Sequence, residues 1–178
     1  MGKLNTASIT KIALFTSLLS VSSYVVIPLP FTPIVLSLHT VMVNLVGLLL
    51  KPIHAGYTML VYLFMGLIGL PVFSAGSAGP GKLFGPTGGF YFGFLCSAIM
   101  ISFCKGNKSN IIRYSIVTIG IGLPIQHLFG VLFMCLHNGF QVKTAILTVS
   151  LPFILGDIVK CVIASIIGVK LNKVLRFL

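Results

Sequence analysis

The chain has 178 residues, of which 57% are apolar and only 7% are Asp, Glu, Lys or Arg. An ordinary soluble domain carries about 25% charged residues, and with a mean hydropathy of +1.12 this composition cannot coat a water-facing surface. Twelve Lys/Arg stand against a single acid, Asp157, which excludes chemistry needing paired carboxylates, acidic two-metal centres or acid-rich proton relays.

A helical membrane span uses roughly 20 residues, so six spans take roughly 120 and leave only short loops. One integral membrane domain over residues 1–178 is expected. Between Lys11 and Lys51 no formally charged residue occurs, a run too long for one helix. Pro28, Pro30 and Pro33 split it into spans near 9–27 and 34–50. The first apolar run is not followed by a small-x-small site, so it reads as a span and not as a cleaved signal. Further spans are predicted over about 55–70, 87–104 and 114–136. The last apolar stretch, 144–170, contains Pro152 and Gly156. It reads as a short approach segment followed by a sixth span starting around 153–157.

Basic residues sit singly or in small groups between these runs and not on one solvated face, which argues against nucleic acid. With the N-terminus in the cytoplasm, the inner side receives Lys3, Lys11, Lys51, Lys105, Lys108, Arg113, Lys170, Lys173 and Arg176. The outer side receives only Lys82 and Lys143, and Lys160 is left within a span. Nine against two orients the bundle with both termini cytoplasmic. A multi-pass protein of a bacterial inner or plasma membrane is the expectation. Cys96, Cys104, Cys135 and Cys161 lie in apolar runs without CxxC spacing, and His39, His54, His127 and His137 form no HExxH pair. No metal site, catalytic residue or cofactor is therefore expected.

Between the third and fourth helices, on the outer side, residues 69–91 concentrate glycine with interleaved Phe and Leu. Such a loop has the freedom to fold back over a cavity and the apolar anchors to stay there. Thr87 is the expected N-cap of the fourth helix, whose free N–H groups favour a polar or anionic ligand. Gly76 to Lys82 matches GxxxxGK, but Leu83 follows it, no strand precedes it, and it lies outside the cell. It is not a nucleotide-binding loop.

Asp157 and Lys160 are three apart and share a helix face. Counted back from Lys170 at 1.5 Å per residue, Asp157 lies roughly 20 Å up, in the outer part of the hydrocarbon slab. Ionisable groups at that depth are costly unless paired or hydrated, and mark function by default.

Gly69-Leu70-Pro71-Val72-Phe73, the glycine loop, Gly85-Pro86-Thr87-Gly88-Gly89-Phe90 and Gly156-Asp157-x-x-Lys160 together resemble the BioY family. These are the biotin-specific substrate-binding (S) components of energy-coupling factor (ECF) transporters. The resemblance runs from Ala13 to the basic C-terminus. It implies a six-helix membrane protein that binds biotin near its outer face, and no enzymatic role. It also implies that Asp157 accepts from ureido N–H groups and that Lys160 donates to a carbonyl or carboxylate oxygen. Phe73, Phe90 and Tyr91 would supply apolar walls. Where the family commonly has Pro-Ile-Thr-Leu-Gln-Thr, this chain has Val35-Leu36-Ser37-Leu38-His39-Thr40. His39 replaces a glutamine expected to face the pocket, Ser77 stands in place of an asparagine, and Phe90 replaces a tyrosine. The implied partners are biotin, the lipid bilayer, a transmembrane coupling protein and two ATPases on other chains. Alternatives are an S component for another vitamin and a biotin transporter without a dedicated ATPase module. Ala13 and Ser17, with Thr16 and Ser20 alongside, are small residues at helical spacing that permit close helix approach. The resemblance makes Ala13 and Ser17 the expected coupling interface.

Overall fold

The computed structural model describes residues 5–27, 36–107 and 109–175. Pro28, Pro30, Pro33, Val35, Lys3, Lys108 and Arg176, used above for boundaries, motif and orientation, lie outside them. Among the described residues the fold is helical apart from one small ribbon. Helix α1 (Thr6–Ser22) starts at Asn5, whose side-chain oxygen accepts the Ser8 N–H at 2.9 Å. Strand β1 (Val26–Ile27) pairs antiparallel with β2 (Leu36–Ser37), Val26 opposite Ser37. Helices α2 (His39–Leu49) and α3 (Pro52–Leu67) follow, the latter opened by a proline that sacrifices no helical hydrogen bond there. A short turn, α4 (Pro80–Leu83), precedes α5 (Gly88–Cys104). Helix α6 (Ile111–Val117) runs through a π turn (Thr118–Gly122) into α7 (Leu123–Asn138). Helix α8 (Val142–Ala145) and a second π turn (Ile146–Ser150) lead directly into α9 (Leu151–Leu175).

Two expectations are corrected. The chain does not break at Pro152 and Gly156, because α9 passes through both. A proline ring collides with the carbonyl four residues back in a regular helix. For Pro152 that carbonyl belongs to the π turn, whose wider winding relieves the clash. Pro124 follows the first π turn in the same way. The second span is also shorter than expected. Strand β2 takes its start, and Leu38 N–H donates to the Val25 carbonyl at 3.1 Å. The remaining 11 residues of α2 rise only about 16 Å. By length and composition, Ile111–Asn138 and Leu151–Val174 suffice to cross a bilayer, and α1, α2, α3 and α5 are shorter apolar helices.

The distribution of polarity is inverted relative to a soluble protein. Phe103, Leu136 and Leu155 are 68%, 71% and 76% exposed, whereas Asn44, Thr58, Ser97 and Gln126 are buried. Such an exterior matches hydrocarbon as solvent. The lower end of α2 is held by side chains. Lys105 Nζ donates to the carbonyls of Gly47 and Leu50, and Asn172 Nδ2 to that of Leu48 at 3.2 Å. These groups satisfy carbonyls that a helix end leaves open.

Glycine permits a close approach of α5 to α7. A Cβ on Gly89 would lie 2.1 Å from the Phe129 carbonyl oxygen, a backbone atom that cannot swing away. Gly89→Ala should cost roughly 1–3 kcal/mol, read as a lowered melting temperature in detergent. Gly120→Ala is the control, because nothing lies within 4 Å of its Cβ position, and its melting temperature should not fall.

Candidate functional site

The loop after α3 is tied down at several points. Ala75 N–H donates to the Ser23 carbonyl at 3.0 Å, and Gly79 N–H to the Gly66 carbonyl at 2.8 Å. Phe73 and Ser77 form a bridge, with Phe73 N–H donating to the Ser77 carbonyl at 2.9 Å. Tyr24 Oη donates to the Pro71 carbonyl at 2.7 Å. Gly76 and Gly79 take φ of +69° and +90°, and Ala75 adopts +58°, a left-handed conformation that disfavours a side chain. The surrounding hydrogen bonds over-determine it.

Beneath this loop is a partly enclosed cavity of about 130 Å³. Ser74, Ala75 and Lys82 come from the loop and α4, and Ser37 and Thr40 from the ribbon and the start of α2. Helix α5 presents Thr87, Phe90, Tyr91 and Phe94. Gln126 and His127 enter from α7, and Phe153, Asp157 and Lys160 from α9. Each π turn lies within seven residues upstream of polar lining residues, so the widened windings set the rotation of both helices at the site.

Asp157 is the hub. Lys160 Nζ donates to its Oδ1 at 2.9 Å, and His127 Nε2 lies 3.2 Å from Oδ2. An ionised carboxylate only accepts, so the histidine carries its proton on Nε2. His127 Nδ1 is buried without a partner. Phe90 meets the His127 ring edge-on at 6.1 Å and sits over Gly130, where a Cβ would be 2.4 Å from the phenyl ring. Gln126 Nε2 donates to Ser97 Oγ at 3.0 Å, fixing its amide against α5. Among the described residues no group of three or more His, Cys, Asp or Glu could hold a metal ion.

Of the residues expected at a site, Asp157, Lys160, Phe90 and Tyr91 line the cavity. Phe73, His39 and Ser77 stand behind its wall. Phe73 is fully buried over Gly66 and packs on Tyr91 at 4.4 Å. His39 is fully buried, stacked on Phe94, with its Nε2 2.6 Å from Tyr62 Oη. Ser77 Oγ donates to the Ser74 carbonyl at 2.8 Å and closes the loop. Thr87 occupies the N-cap of α5, but its side chain makes no capping bond. His127, Gln126 and Lys82 were not anticipated here. Gln126 and His127 are polar residues deep in an apolar run, the same signal that exposed Asp157 and Lys160. On α1 the two small-residue pairs divide. Ala13 and Ser17 face outward, while Thr16 is buried, its Oγ1 donating to the Thr58 carbonyl at 3.4 Å.

A helical bundle with an apolar exterior and a partly enclosed, charge-paired pocket under a glycine loop defines a membrane substrate-binding protein. The BioY family profile matches residues 1–177, and the chain belongs to the BioY family. "Biotin transporter BioY2" of Lactococcus lactis subsp. cremoris is 33% identical over 169 residues, covering 94% of this chain and 91% of that protein. "Probable biotin transporter BioY" of Pyrococcus horikoshii is 34% identical over 164 residues, covering 92% and 95%. The crystal structure at 2.1 Å of the S-component for biotin from an ECF-type ABC transporter superposes with a TM-score of 0.87. Its identity is 25%, covering 94% of this chain and 91% of that one.

The wall behind the cavity has its own polar link. Tyr62 Oη donates to the Val72 carbonyl at 3.1 Å and receives the Nε2–H of His39. Tyr62→Phe strands both buried partners, and roughly 1–3 kcal/mol of stability should be lost. A fall in melting temperature measures it.

Proposed function

We propose that this chain is the membrane-embedded biotin-capture subunit of an energy-coupling factor transporter. The carrying observation is the Asp157 carboxylate, held by Lys160 and His127 inside a cavity with aromatic walls. Its similarity to biotin transporters and to the S-component for biotin supports the same reading. Six helices cross the membrane, both termini are cytoplasmic, and the glycine loop covers the pocket from outside. The positive-inside count supports that orientation.

Asp157 keeps lone pairs free to accept ureido N–H groups, and Lys160 has further protons to donate to a ligand oxygen. Phe90 and Tyr91 flank the fused rings. Phe73, His39 and Ser77 act one layer out, by fixing Tyr91, Phe94 and the loop. The role is transport and not enzymatic turnover. Energy comes from a coupling protein and ATPases on other chains, docked where Ala13 and Ser17 leave α1 thin.

Biotin should raise the melting temperature of the purified protein, since a native-state ligand stabilises by mass action. Asp157→Asn and Lys160→Ala should each weaken biotin binding by about 100-fold or more, because truncating one partner strands the other charge. Wild-type affinity in both variants, by titration calorimetry, would return the pair to a structural role. Ala13→Trp should block co-purification with a coupling module and leave biotin affinity in detergent unchanged. Loss of both together would make α1 an internal seam.

A further inference from the structure

One acidic residue, Asp157, and two lysines, Lys82 and Lys160, line the cavity, and the chain has no second acidic side chain to balance them. Asp157 is already committed to Lys160 and His127. Lys82 therefore has no carboxylate side chain to pair with anywhere in this sequence.

Lys82 is also held in place. It sits on α4, whose first turn is fastened by the Gly79 N–H on the Gly66 carbonyl. The next residue, Leu83, is buried at 4% exposure. Gly88 folds the chain back so tightly that a Cβ there would lie 1.8 Å from the Leu83 carbonyl oxygen. His137 Nε2 donates to the Phe84 carbonyl, pinning the turn to the end of α7. The ammonium is thus carried by a fixed turn on the edge of a half-enclosed pocket. A cation there, lacking a protein counter-ion, selects for an anionic group on whatever enters.

We propose that Lys82 is the anion-recognition residue of the cavity, receiving the carboxylate of the bound ligand from the loop side while Asp157 and Lys160 on α9 receive its neutral hydrogen-bonding end. The proposal rests on the biotin reading, in which the anion is the valerate carboxylate and the neutral end is the ureido group. It sets the direction in which the ligand lies.

The test compares biotin with biotinamide, which keeps the rings and loses the charge. Full-length protein in detergent is titrated with each, as wild type, Lys82→Gln and Lys82→Arg. Wild type should prefer biotin by roughly tenfold, the scale of a charge-assisted hydrogen bond at a partly hydrated site. Lys82→Gln should reduce that preference to about unity with biotinamide affinity unchanged, and Lys82→Arg should restore it. An undiminished preference in Lys82→Gln overturns the assignment. Equal loss of both ligands in Lys82→Gln also overturns it, and makes Lys82 a support of the loop. A wild-type protein that binds neither compound overturns the biotin reading first and this subsite with it.

Discussion

The whole arrangement depends on keeping one carboxylate ionised inside an apolar bundle. A lone charge at that depth is untenable, so Asp157 needs partners that cannot drift away. Lys160 is supplied by helical spacing, one turn along α9. His127 is supplied by tertiary packing from α7, thirty residues earlier. Two partners leave the carboxylate oriented with lone pairs still free. A polar, pre-organised pocket follows from that. Removing Asp157 or Lys160 takes the ion-pair partner from the other's buried charge.

The rest of the bundle serves this cluster through backbone placement. Two π turns rotate α7 and α9 before they reach the cavity, and prolines follow each turn where the wider winding tolerates them. Glycines bring α5 against α7 and seat Phe90 over Gly130. Packed aromatic rings run from Tyr62 through Phe73, behind the pocket, to Tyr91 in its wall, and support the loop. The loop is glycine-rich because its backbone must take positive φ and approach neighbouring carbonyls closely, and its hydrogen bonds to α1 and α3 hold it there.

Much of this was readable from the sequence, for identifiable reasons. Apolar runs bounded by Pro, Gly and Lys located the helices because hydropathy is a local property. Asp157 and Lys160 were legible because their pairing needs only a three-residue offset. The shortness of α2 was not, since it follows from a ribbon that pairs Val26 with Ser37 and Ile27 with Leu36, eleven and nine residues apart. The π turns leave no mark on hydropathy, so Pro152 and Gly156 read as a break. His127 carried a usable signal, a titratable group deep in an apolar run, but its partner could be found only once α7 and α9 were packed. Lys82 gave no such signal, because charge patterning does not tell a loop lysine at a pocket from one in water. Phe73 and His39 were expected to face the pocket, and neither lines the cavity. An aromatic residue type does not reveal which face of a wall it occupies.

The most direct measurement is a structure of the protein with biotin bound. The ureido nitrogens should lie within hydrogen-bond distance of the Asp157 carboxylate, beneath the loop that carries Ser74 and Lys82. Biotin seated in any other cavity, or in this one with its ureido ring away from Asp157, would contradict it.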